Sequence, residues 1–203
     1  MKTLLMTAAL AVAVSAGAAE AKPVPGRPHV DDSSLVQADG QRILRESIVI
    51  AAPRDKVWTA WASSEGLKSW EAPVAAIDLR VGGYLEATYD PKGRLGDPNN
   101  IKHEVLSYVP GELLVFRNVQ TPHGFPHADL FSHVSTVIQL EDAGEGKTRV
   151  TVSGVGYGSG QDWDQLYGFF HAGNAYLLEV LKAHFEGGPG PDGDAHSEAK
   201  AKG

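Results

Sequence analysis

Near the end of the chain Trp163, Leu166, Phe170, Gly173, Leu177, Val180, Leu181 and His184 recur at intervals of three and four. This spacing predicts one amphipathic helix of about six turns over residues 162–185, stopped by Gly187-Gly188-Pro189. A rod of that length is too long to be a connector. Its apolar stripe needs a broad surface to cover, and a curved antiparallel sheet offers one.

The preceding residues are patterned to build that sheet. Residues 42–50 alternate and are rich in β-branched side chains, which predicts a strand. Pro53 then suits a first helical turn, and DKVWTAWA places Val57, Trp58 and Trp61 at helical spacing. Ser63 or Ser64 can cap a second short helix that runs to Trp70 before Pro73. From Val74 onward the period changes to two. AAIDLRV and YLEATYD flank Gly82-Gly83, IKHEVLSYV and ELLVFRNV flank Pro110-Gly111, and SHVSTVIQLED and KTRVTVSGV flank a turn at 143–146. The expected class is α+β: a seven-stranded curved antiparallel sheet, two short helices and one long C-terminal helix.

The flanks of this domain, residues 41–186, differ in kind. MKTLLMTAALAVAVSAGAAEA, residues 1–21, has one Lys, an uncharged run and small-residue triplets, the pattern of a cleaved secretory signal peptide. A periplasmic or secreted location follows as an expectation. No second stretch is long and apolar enough to span a membrane, so no integral membrane segment is expected after cleavage. Residues 22–40, rich in Pro, Gly, Asp and Ser, show neither helical nor strand periodicity and are expected to form a flexible linker. Residues 187–203 offer almost nothing apolar to bury and are expected to be a disordered tail. Cysteine is absent, which excludes disulfides, thiol catalysis and thiolate-bound metals. The formal charge of -7 comes with no basic stripe, so nucleic acid is not an expected partner.

Several local words are more specific than the element order. IVIAAPRDKVWTAWASSEGLKSWEAP, DLRVGGYLEATYDPKG, HEVLSYVPGELLVFRN and STVIQLEDAGEGKTRVTVSG occur in that sequence across residues 42–185. Together they resemble the START-like (SRPBCC) superfamily, and within it the branch of activators of heat shock protein 90 ATPase homologues. The resemblance implies a helix-grip fold in which the terminal helix closes a curved sheet over a cavity. Trp58 and Trp61 are then expected to plug the space between the short helices and the sheet. Trp70 is expected where the pocket of this superfamily opens.

Chemical signals are sparse. His123, His127, Asp129 and His133 fall within TPHGFPHADLFSHVS. If residues 128–134 are extended, His127, Asp129, Phe131 and His133 share a face, but His127 and His133 then lie about 20 Å apart on a straight strand. A loop over the pocket mouth is the expected form, with no metal. His103 and Glu104 must point to opposite faces of their strand, so one of them faces the cavity. His171 and Asn174, three apart, occupy neighbouring positions on the long helix. GVGYGSG, residues 154–160, has no basic residue to meet a phosphate and is expected to be a lid or connector. No G-x-S-x-G turn supports a serine hydrolase, and no cofactor is expected.

The resulting expectation is an exported module that binds a hydrophobic small molecule between sheet and helix. Its expected ligand-binding residues are Trp70, Tyr84, Tyr89, His103, Phe116, His127, His133, Tyr167, Phe170, His171 and Asn174. Two alternatives stand beside it. One is a cyclase or dehydratase using a cavity His with a carboxylate or Tyr, and the other is the ATPase-activating role implied by the branch, which export disfavours.

Overall fold

The structure, a computed structural model, describes residues 21–188. The signal-peptide residues before Ala21 and the tail beyond Gly188 lie outside the described residues.

The expected elements form in the expected order. Strand β4 (Arg42–Ile50) leads into helices α1 (Arg54–Ala62) and α2 (Ser64–Trp70). Pro53 stands at the N-cap of α1, and the Ser63 hydroxyl accepts from the Gly66 N–H to start α2. Strands β5 (Val74–Ile77), β6 (Tyr84–Thr88), β7 (Ile101–Val109) and β8 (Leu113–Gln120) follow, then a single helical turn, α3 (Ala128–Phe131). Strands β9 (Ser135–Asp142) and β10 (Thr148–Tyr157) and the long helix α4 (Gln161–Glu186) complete the chain. Gly187, at φ 70°, ends α4 in the left-handed conformation that glycine adopts at lowest cost.

Residues 22–40 are not a free linker. They contribute β1 (Lys22–Val24), β2 (Arg27–Asp32) and β3 (Leu35–Val36), and the sheet has ten strands rather than seven. Its order is β1-β2-β4-β10-β9-β8-β7-β6-β5, antiparallel throughout, with β3 also paired to β4. The absence of periodicity has a physical reason. An edge hairpin needs little apolar content: Val24 and Val30 alone are buried here, and Pro23 and Pro28 are tolerated on strands at the margin of a sheet.

The core lies between the sheet and α4. Ile48, Val150, Leu178 and Leu181 belong to one buried cluster that Trp61 closes from α1. Along β4, Leu44, Glu46, Ile48 and Ile50 alternate onto the buried face, so a carboxylate occupies a core position. It meets α4: Glu46 Oε1 is 2.6 Å from Nδ1 of His171. Further contacts hold α4 along its length. Arg42 Nη1 reaches Asp164 at 2.7 Å, His29 Nδ1 reaches Glu179 at 3.1 Å, and Lys182 Nζ donates to the Val49 carbonyl at 2.9 Å. At the C-terminal end the Ala51 N–H donates to Glu186 at 2.8 Å.

Candidate functional site

A cavity of about 370 Å³ separates α4 from the sheet, within the range of roughly 300–1,000 Å³ common to small-molecule sites. Its sheet wall carries Leu85, His103, Phe116, Ile138 and Val152, all on inward positions of β6 to β10. The roof is the α4 face bearing Phe170, Asn174, Leu177 and Leu178. Trp61 and Glu71 close the end formed by the short helices. At the other side Phe131 of α3 packs on Phe170 with centroids 4.4 Å apart and on Phe125 at 5.5 Å, so the 121–134 segment is folded onto the cavity by its aromatic rings.

Five of the sequence-predicted site residues meet here: Tyr89, His103, Phe116, Phe170 and Asn174. The other six lie elsewhere. Trp70 packs edge-on against Trp61 at 4.8 Å and donates its indole N–H to the Ala60 carbonyl, so it supports the wall from behind. Tyr84 is exposed beside Lys102, on the outer face of β6. Tyr167 meets Tyr157 edge-to-face at 5.2 Å under the Arg42 guanidinium. His171 turns to Glu46, with Asp32 at 4.0 Å from its other ring nitrogen.

His127 and His133 do not sit on an extended strand. His127 has φ 53° at the start of α3 and bonds Gln165 at 2.9 Å, while His133 is exposed after it. Among the described residues no group of three or more His, Asp or Glu side chains is placed to hold a metal ion. The expected 154–160 lid is also corrected: β10 continues to Tyr157, which is fully buried because its ring covers Gly154, where a Cβ would come within 2.6 Å of it.

Polar atoms inside the cavity are few and unusual. Oε2 of Glu71, Nδ1 of His103 and Nε1 of Trp61 are each buried with no hydrogen-bond partner, and all three residues line the cavity. Such atoms cost free energy unless something satisfies them. Burial pushes the Glu71 carboxyl up to about 7 and the His103 imidazole down to about 4. His103 is therefore neutral at pH 7, its ring 4.8 Å from that of Phe116. Tyr89 is 62 % exposed as a whole, yet its hydroxyl is raised by loss of solvent and then by Glu71 and Tyr176.

Glu71 was not legible as a site residue because an acid between a helix and a proline reads as solvated. The signal that marks it is its position. It is the C-cap of α2, where the helix dipole disfavours negative charge and where Lys or Arg is the ordinary choice. Trp61 was assigned to the core, correctly for its ring and incompletely for its N–H.

A long helix laid across a large antiparallel sheet, with an apolar cavity between them, defines a helix-grip protein. The chain belongs to the family of Activator of Hsp90 ATPase homolog 1-like proteins, whose model matches residues 51–186. The fold recurs in solved structures of low identity. The Aha1 dimer of Colwellia psychrerythraea superposes with a TM-score of 0.56 at 19 % identity, covering 71 % of this chain and 96 % of that one. CalU16 of Micromonospora echinospora gives 0.55 at 18 % identity over 77 % and 85 %, and protein MLL2253 of Mesorhizobium loti 0.56 at 20 % over 71 % and 97 %. Identities this low establish the fold and nothing finer. No curated protein sequence matches the chain.

Proposed function

We propose that this is an exported binding protein that holds a hydrophobic small molecule in the cavity between the sheet and α4. The observation that carries the reading is the apolar cavity itself. A chain able to bury Leu178 to completion leaves about 370 Å³ beside it unfilled. Empty volume of this size in a core is destabilising, and a guest that fills it recovers the lost contacts. Export rests on the pattern of the first 21 residues, and no helix among the described residues is long and apolar enough to cross a membrane.

Native mass spectrometry of protein purified from the periplasm of its own host tests both parts. The expected result is a chain cleaved near Ala18 or Ala21 that carries a co-purifying small molecule. An uncleaved chain refutes export. A bare mass, with no shift in thermal midpoint across lipids and aromatics, refutes binding.

One observation favours a second reading, proton-transfer catalysis of the cyclase or dehydratase kind. Glu71, with its carboxyl near 7, shares a cavity with a neutral histidine, and a carboxyl poised near ambient pH is suited to general acid-base work. Solvent deuterium incorporation into an enolisable ketone, lost in Glu71→Gln, is the expected signature of that chemistry. No incorporation across a ketone panel removes it.

A further inference from the structure

We propose that the guest of this cavity is an aromatic compound bearing a neutral hydroxyl, recognised jointly by the Trp61 indole N–H and the Glu71 carboxyl. The inference rests on the binding reading and names its ligand class.

The argument is one of satisfying buried atoms. Trp61 is 5 % exposed and His103 9 %, so their unpartnered nitrogens have no solvent to turn to. Indole N–H is a donor only, and Glu71 Oε2 is an acceptor when ionised. A ligand carboxylate satisfies Trp61 but is repelled by Glu71 whenever that group is ionised, and no Lys or Arg among the described residues lines the cavity to offset that repulsion. A cationic amine satisfies Glu71 but leaves the indole N–H orphaned, since ammonium has no acceptor. A hydroxyl accepts with its oxygen and donates with its hydrogen, so one group answers both. His103 Nδ1, on the sheet side, is available to a second polar substituent.

The remaining walls specify the body of the ligand. Phe116, Phe125, Phe131, Phe169, Phe170 and Tyr157 present rings to the void. The existing pairs among them are stacked, tilted and edge-to-face at 4.4 to 6.3 Å, the arrangements in which another ring is accommodated.

The test uses the mature chain at pH 7 and four probes of common shape: 2-naphthol, naphthalene, 2-naphthoate and 2-(aminomethyl)naphthalene, with affinities read from tryptophan fluorescence and calorimetry. We expect 2-naphthol to bind roughly tenfold more tightly than each of the other three, the scale of one or two well-placed hydrogen bonds. Glu71→Met and Trp61→Phe are each expected to bring the naphthol-to-naphthalene ratio close to one. Should Trp61→Phe fail to fold, Glu71→Met decides alone. Equal binding of naphthol and naphthalene by the native chain, a ratio unmoved by Glu71→Met, or a preference for the anion or the cation overturns the ligand class while leaving the binding reading intact. Failure of all four probes overturns the binding reading and this inference with it.

Discussion

Glu71 and Glu46 are carboxyls whose affinity for a proton burial raises, and each couples folding to pH. The folded-state pKa of Glu71 is about 7 against 4.5 when solvated. Between those values the native chain holds a proton that the unfolded chain has released, so the stability this group supports is present below 4.5 and is lost as pH rises through 7. Glu71→Gln removes that slope. Urea titrations are expected to show the variant losing less stability than the native chain between pH 5 and 8, by on the order of 3 kcal/mol. Glu46 is raised further, to about 8, by burial and then by Asp32, and it is hydrogen-bonded to His171 across 2.6 Å. His171→Ala leaves that carboxyl without its partner in the core and is expected to cost about 2 kcal/mol in chemical denaturation, with cavity affinity unchanged because His171 is not on the wall. The sequence placed Phe170 and Asn174 in the site but could not separate His171 from them. Residues three apart on a helix differ by about 60° around the axis. Between a cavity and a neighbouring strand that offset is enough to send one to each.

Among elements, the N-terminal hairpin is the one whose role the sequence concealed. Strands β4 to β10 and the two short helices were legible because each carries a buried face whose period survives in one strand or one turn. β1 and β2 show no such face, since their pairing is carried by backbone hydrogen bonds, and the contacts that orient them, such as Arg27 over the Tyr176 ring and His29 with Glu179, join residues far apart in the chain. A paired comparison exposes the difference. Val30→Ala, at a fully buried position, is expected to cost about 2 kcal/mol, whereas Val36→Ala, at 67 % exposure, should stay within about 0.5 kcal/mol. A true linker would tolerate both. α3 was hidden for a different reason: alternation of His127, Asp129, Phe131 and His133 imitates a strand, and only the left-handed residue at its start reveals the turn.

At the scale of the whole molecule, fold and void must be read together. A void beside Leu178 weakens the core that α4 and the sheet form, and a bound guest offsets the loss by mass action. At a hundredfold excess over its Kd, a guest is expected to raise stability by about 2.7 kcal/mol, measured as a shift in urea midpoint that grows with ligand concentration. A midpoint that does not move with any probe shown to bind would place that probe outside the cavity. The apolar character of the void was foreseeable from strand parity and helix spacing. Of its polar groups His103 and Asn174 were foreseen, but Glu71 and the Trp61 N–H were not, because their significance lies in partners they lack, and a lack of partners exists only in three dimensions.

Because α4 is fastened to β4 and β2 at Arg42, Glu46, His29 and Lys182, the rod cannot lift without breaking several of those ties at once. A guest of the proposed kind would instead pass Tyr89 and Phe169, cavity-lining residues 62 % and 49 % exposed, whose side chains rotate on a far faster clock than the backbone unfolds. Dwell time should thus be insensitive to sub-denaturing urea, and enlarging the doorway with Phe169→Ala should hasten departure while leaving the melting transition almost where it was.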